Sequence, residues 1–152
     1  MECIEFDNKI KWFQYQVNRL ILKTNYVVSI FRPQVMTLCV FCRYRSETIL
    51  HLLWNCPVVN SFYRNALESV RETAPMYYWP MERVNFIFSM TNRKMFEPYN
   101  MFTLYLKYFV WKCKHRGTHP TMPAFRNFFN HEITVIKKAF RMNPRYDRLM
   151  LV

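Results

Sequence analysis

CVFCRYRSETILHLLWNC, residues 39–56, is the stretch from which the rest of the chain is best read. It sets Cys39, Cys42, His51 and Cys56 in the order Cys-x2-Cys-x8-His-x4-Cys. Three thiolates and one imidazole are the donor set of a closed tetrahedral zinc site, and two cysteines separated by two residues can grip one ion from a single tight turn. The run from Glu47 to Trp54 reads as a short helix that presents His51 to the metal, with Cys56 returning just past its end, ahead of Pro57. Four protein ligands leave no position for an activated water, so the pattern implies one structural zinc ion and not metal catalysis. Cysteines in such a run could instead be small buried hydrophobes, but a His and a third Cys at ligand spacing behind the Cys pair favour the metal. Cys3 and Cys113 have no partners at ligand spacing and are expected to be a free thiol and a core residue.

On both sides of this unit the apolar residues recur at helical steps. Phe6, Ile10, Phe13, Val17 and Leu20 make one face of a helix within residues 4–22, with Asp7 as N-cap or first-turn acid. A short segment from Asn25 to Phe31 follows, closed by Pro33. Downstream, Val59, Phe62, Ala66 and Val70 mark a helix that ends before Pro75, and residues 73–80 (TAPMYYWP) read as an extended aromatic connector. Val84 to Ser89 is apolar and fits a short strand or a helical turn equally well. From about 96 to 116, Phe102, Leu106, Phe109 and Cys113 share a face, and Gly117 is a helix stop with Pro120 beyond. Thr121 can cap a last helix that tolerates Pro123 in its first turn and buries Phe125, Phe129, Ile133, Ile136 and Phe140. The expected fold is mainly α: a small helical bundle stapled by the Cys-Cys-His-Cys site, with little or no β. The chain reads as a single domain over 1–152, with an N-terminal helical segment (1–35), the zinc-binding unit (36–57), a helix (58–72), the aromatic connector (73–92) and a basic helical pair (93–152).

Composition narrows the function. The 152 residues are 51% hydrophobic and 18% aromatic, which describes a packed chain and not a disordered one. The single glycine excludes a glycine-rich phosphate loop, a dinucleotide fingerprint and a nucleophile elbow, each of which needs several. The acidic start lacks the features of a signal peptide, and the apolar run from Met101 to Cys113 is too short for a membrane span and is interrupted by Lys107. From these features the expectation is an intracellular protein, nuclear or cytoplasmic and not secreted, without a membrane partner. No pair of adjacent aspartates occurs, the acids are scattered, and no serine has a His and an acid beside it. His115, His119 and His131 read as surface or capping residues. The chain is therefore expected to be no enzyme and to have no small-molecule substrate.

With 22 basic against 10 acidic residues, a net charge of +12 and a pI near 9.7, a polyanionic partner is favoured. Residues 104–152 alone hold ten basic and two acidic residues. At ~100° per residue, Lys107, Trp111 and Lys114 fall on a stripe away from the Phe102/Leu106/Phe109 face, with Lys112 and Arg116 on the same helix. Lysines flanking an indole can hold phosphates while the ring stacks on a base. Lys137, Lys138 and Arg141 make a second cluster, and Arg43 and Arg45 project from the loop between the second and third ligands. Nucleic acid is the expected partner, RNA before DNA. Three readings compete: the charges merely solvate helices, the fold is a protein-interaction module using Met76, Tyr77, Tyr78 and Trp79, or the chain is a non-functional remnant.

The segment CVFCRYRSETILHLLWNC also resembles the zinc-binding module near the C-terminus of LINE-type (non-LTR) retrotransposon reverse transcriptases. Cys39, Cys42, Glu47, Thr48, His51, Leu52, Trp54, Cys56 and Pro57 stand where that family's motif has them. The upstream KWFQYQVNRLILKTN is similar at Trp12, Phe13, Gln14, Leu20, Thr24 and Asn25. The downstream KYFVWKCKHRGTHPTMPAF is similar at Lys107, Lys112, Cys113, Pro120 and Phe125. The likeness runs over about residues 8–140. It implies template or target handling beside an upstream reverse transcriptase domain, or a stand-alone relic of one, with catalysis elsewhere. One departure is plain: where the family often has Gly after the second Cys, this chain has Arg43.

Overall fold

Ile10, Phe13 and Val17, spaced by three and four, are buried, and this stripe makes α1 (Asn8–Asn18) an amphipathic helix. The computed structural model describes residues 8–75, 81–89 and 97–140, without the side chains of residues 97 and 136–140. After α1 come α2 (Asn25–Phe31), a π-helical turn (His51–Asn55), α3 (Pro57–Thr73), α4 (Arg83–Phe88), α5 (Glu97–Arg116) and α6 (Met122–Phe140). Among the described residues there is no strand, only one antiparallel bridge between Leu38 and Ser46. The fold is mainly α, as its sequence pattern indicates.

The core is built around α5. Every residue from Met101 to Lys107 is buried, as are Phe109 and Val110, so this helix is enclosed on all sides. It packs against α1, α4 and α6, while α3 packs against α6 and the π-helical turn. Phe125 of α6 is the hub of the aromatic packing, with ring centroids 5.8 Å from Phe62, 5.7 Å from Phe102 and 5.5 Å from Phe109, all at steep angles. Edge-to-face contacts of this kind add to plain area burial, because the ring edge is positive and the face negative. Gly117 stops α5 with a φ of 66°; its N–H donates to Lys114 O, and Thr118 N–H to Cys113 O. That is the double-bonded glycine cap expected there.

Two sequence expectations, for Leu20 and Lys107, need correcting, and one open reading, for Val84 to Ser89, is decided. Leu20 does not continue the buried face of α1: the helix ends at Asn18, Leu20 takes a φ of 56° and is exposed, and Leu22 is buried instead. Val84 to Ser89, which periodicity leaves open, is mostly the helix α4. Lys107 does not lie on an exposed stripe. It is fully buried, and its Nζ donates to Gln14 Oε1 (2.8 Å) and to Ile87 O (2.7 Å), tying α5 to α1 and α4. A helix buried all round has no outer face on which a mid-helix lysine could reach solvent.

Among the described residues no helix is long and apolar enough to cross a membrane. Cys3, Phe6, Asp7, Met76, Tyr77, Tyr78, Trp79 and Arg141, and the side chains of Ile136, Lys137, Lys138 and Phe140, lie outside the described residues.

Candidate metal centre

Residues 37–47 form a small hairpin-like loop. Glu47 N–H donates to Thr37 O and Cys39 N–H to Arg45 O, with the Leu38–Ser46 bridge between them. Its tip, where Arg43 N–H donates to Cys39 O, carries the first two ligands. The other two come from the turn that follows. Thr48 Oγ1 accepts from His51 N–H at 3.1 Å, a side-chain cap of the kind that starts helices. The turn then widens to π geometry, and Cys56 N–H donates to His51 O at 2.7 Å. Residues five apart on an α-helix point in clearly different directions at ~100° per residue. An i→i+5 turn draws them together, which is how His51 and Cys56 reach one point. The sequence pattern predicts a plain short helix here; the structure makes it a π turn.

The four donor atoms of Cys39, Cys42, His51 and Cys56 all lie within 4.8 Å of one another, close enough to hold a metal ion. Cys39 Sγ and Cys56 Sγ are 3.8 Å apart, and Cys42 Sγ is 3.3 Å from His51 Nε2. A tetrahedral ion with metal–sulfur bonds of about 2.3 Å would separate two sulfurs by about 3.8 Å, so the spacing fits. The electrostatics of the donors are uneven, because Cys39 and Cys56 share one hydrogen bond. Cys39 is held above the ordinary thiol range, first by donating its hydrogen bond to Cys56 and then by burial; the amides of Cys42 and Phe41 pull the other way. Cys56 is lowered, chiefly by accepting that hydrogen bond, with the amides of Val59 and Val58 at the start of α3 helping against burial. Burial lowers the pKa of His51, favouring the neutral imidazole that a metal requires.

Behind the ligands sits Glu47, fully buried. Its Oε1 accepts from Asn25 N–H (2.9 Å) and pairs with Lys114 Nζ (2.7 Å); its Oε2 accepts from Val40 N–H (2.9 Å), inside the Cys39–Cys42 turn. One carboxylate thus fixes the knuckle backbone, the start of α2 and the end of α5. Lys114 Nζ also donates to Asn25 Oδ1 (2.9 Å), and Asn25 Nδ2 to Leu38 O (2.8 Å).

No family model, curated protein or solved structure matches this chain.

The cations and the indole singled out from the sequence divide sharply. Arg43 and Arg45 are exposed on the loop between the second and third ligands, and Arg116 is exposed at the end of α5. Lys107 is in the core and Lys114 is held by Glu47 with 8% of its side chain exposed, so neither is a surface contact. Trp111 is half-buried, its ring 6.2 Å from Phe13 and 4.3 Å from His115. Lys112 is half-buried with its ammonium 4.8 Å from the centre of the Phe128 ring. The stripe expected along α5 is therefore mostly packing. In the sequence Glu47 stands out only as a member of the motif. A lone acid at the foot of a Cys pair was the available signal, but its partner Lys114 lies on another helix.

Proposed function

We propose that this chain is a zinc-stabilised module that binds single-stranded nucleic acid, RNA in preference to DNA, and does no chemistry on it. The reading extends to a C-terminal module of a LINE-type reverse transcriptase, or a stand-alone descendant, on the sequence resemblance given above. Three thiolates and one imidazole suit zinc, and the four donors fill its tetrahedral shell, so its part here is structural. Arg43, Tyr44 and Arg45 carry the nucleic-acid reading. They form one exposed triplet on the metal loop, Tyr44 being 80% exposed with the Arg45 guanidinium 5.9 Å from its ring centre. An exposed ring with one guanidinium beside it and a second arginine preceding it in sequence offers stacking to a base and charge to its phosphates.

The test has two arms. Protein purified without added metal should carry about one zinc per chain, and Cys56→Ser should lose it; well under one zinc in the wild type would end the metal reading. The metal-loaded chain should bind a fluorescent twelve-nucleotide oligouridine with an affinity that falls as salt rises. Replacing Arg43 and Arg45 together by Gln should reduce the slope of log affinity against log salt by roughly 1.4, at about 0.7 per contact on a single strand. An affinity indifferent to salt and to both arginines would favour a protein-interaction module. That second reading has one observation of its own: α2 buries none of its residues and leaves Ile30 and Phe31 61% and 81% exposed.

A further inference from the structure

The pairing of aromatic and cation looked for on α5 exists on the outer side of α1. Opposite the buried Ile10, Phe13 and Val17, the rings of Trp12 and Tyr15 stack on each other, 5.2 Å apart and 16° from parallel, and are 57% and 46% exposed. Just past the helix end, the Arg19 guanidinium lies 5.7 Å from the centre of the Tyr15 ring. Lys11 and Lys23 are exposed beside them in sequence, and no acidic residue occurs anywhere from Asn8 to Ser46. The face is aromatic and cationic, with Leu20 and Ile21 exposed beyond it.

We infer that Trp12, Tyr15 and Arg19 form a second contact for single-stranded nucleic acid, a platform on which unpaired bases stack while Arg19 and its neighbours meet the phosphates. The inference rests on the nucleic-acid reading above and adds a site to it. Charge selects a polyanion, and the aromatic faces select one whose planar groups are free to stack. A lipid surface fits less well. The exposed positions of α1 are Asn8, Lys9, Lys11, Trp12, Tyr15 and Asn18, none of them aliphatic; the exposed Leu20 and Ile21 follow only past the helix end, so the helix itself has no apolar face to lay into an acyl layer. An acidic protein segment satisfies the cations but leaves two stacked rings without a planar partner.

The experiment uses the full metal-loaded chain and three probes: twelve-nucleotide oligouridine, an abasic strand of the same length, and poly-glutamate. Trp12→Ala and Tyr15→Ala should each weaken oligouridine binding by about tenfold, within the range of base stacking, and leave the salt slope unchanged. Trp12→Phe should restore most of the loss. Arg19→Gln should lower the slope by about 0.7. On the abasic strand the two ring variants should bind as the wild type does. Unaltered metal content and thermal midpoint will establish that the ring variants are folded, as expected of half-exposed residues. Ring variants that bind oligouridine like the wild type, while the Arg43/Arg45 variant does not, overturn the platform and leave the knuckle reading standing. A ring effect that persists on the abasic strand, or is equally large with poly-glutamate, also overturns it. A wild type that binds no oligouridine removes both.

Discussion

Helix α5 buries a lysine at two places, and the two are solved differently. Lys114, near its C-terminal end, meets the carboxylate of Glu47 at 2.7 Å and the amide oxygen of Asn25, so its charge is matched where the metal loop joins the bundle. Lys107, within the aromatic core, meets only neutral acceptors, Gln14 Oε1 and Ile87 O. Burial without a counter-charge disfavours the ammonium, and the Lys107 pKa is pushed down to about 7. The ionic contact belongs to the loop that brings the four candidate ligands together. The neutral contact belongs to the packed helices, which hold themselves by their apolar faces. The same residue type thus serves as a charged clasp in one region and as a proton-labile joint in the other.

The first way to break this comparison is to remove the clasp. Lys114→Met leaves the Glu47 carboxylate buried and unpaired, and losing one partner of a buried pair costs about 3–5 kcal/mol. Urea unfolding of the metal-loaded protein should show a loss of that size. Glu47→Gln combined with Lys114→Met should recover part of it, because no lone charge then remains. A single Lys114→Met variant as stable as the wild type would mean that the pair is only a surface bridge.

The second concerns pH. A free lysine titrates near ~10.4, and Lys107 in the folded chain near 7. Between those values the unfolded chain holds the proton that the folded chain has released, so stability contributed by this group rises with pH across that window and is level outside it. The slope is at most about 1.4 kcal/mol per pH unit. Lys107→Met should flatten the stability profile between pH 7 and 10, and Ile87 O keeps its bond from Gln14 Nε2. Equal slopes in wild type and variant would show that Lys107 does not lose its proton on folding.

These two lysines also show how far the sequence could be read. The ligands were legible because metal chemistry fixes residue type and spacing along the chain, and all four donors converge. The helices were legible where one face alone is buried: Val59, Phe62, Ala66 and Val70 of α3, and Phe125, Phe129 and Ile133 of α6, are all inside. On α5 the same periodicity places the buried Phe102, Leu106, Phe109 and Cys113 correctly but not the opposite stripe, because it presumes an exposed side and this helix has little of one. Charge and helical periodicity both point Lys107 and Lys114 to solvent, yet their acceptors come from α1, α4 and the Glu47 loop. Leu20 was misplaced for a local reason: the chain leaves α1 after Asn18, and a left-handed residue redirects it. Trp12 and Tyr15 were passed over as exposed ring partners because residue type says nothing of which rings remain outside.

The smallest expected effect sharpens the contrast at the metal loop itself. Arg43, following the second ligand, has a φ of 52°, a left-handed conformation that costs a side chain with a Cβ roughly 1–2 kcal/mol where glycine is free to adopt it. The loop therefore carries backbone strain at the residue that also presents a guanidinium to solvent. Arg43→Gly relieves the strain but adds freedom to the unfolded chain, so the metal-loaded protein should gain about 0.5–1 kcal/mol. Arg43→Ala keeps the Cβ and should gain nothing. Both substitutions remove the same charge, so both should weaken oligouridine binding and lower the salt slope by about 0.7. A more stable Arg43→Gly that binds less well would place the arginine among residues kept for contact at some expense to the fold. If the glycine variant were less stable than the alanine one, the strain would have to be absent, and a structural reason for Arg43 would have to replace the functional one.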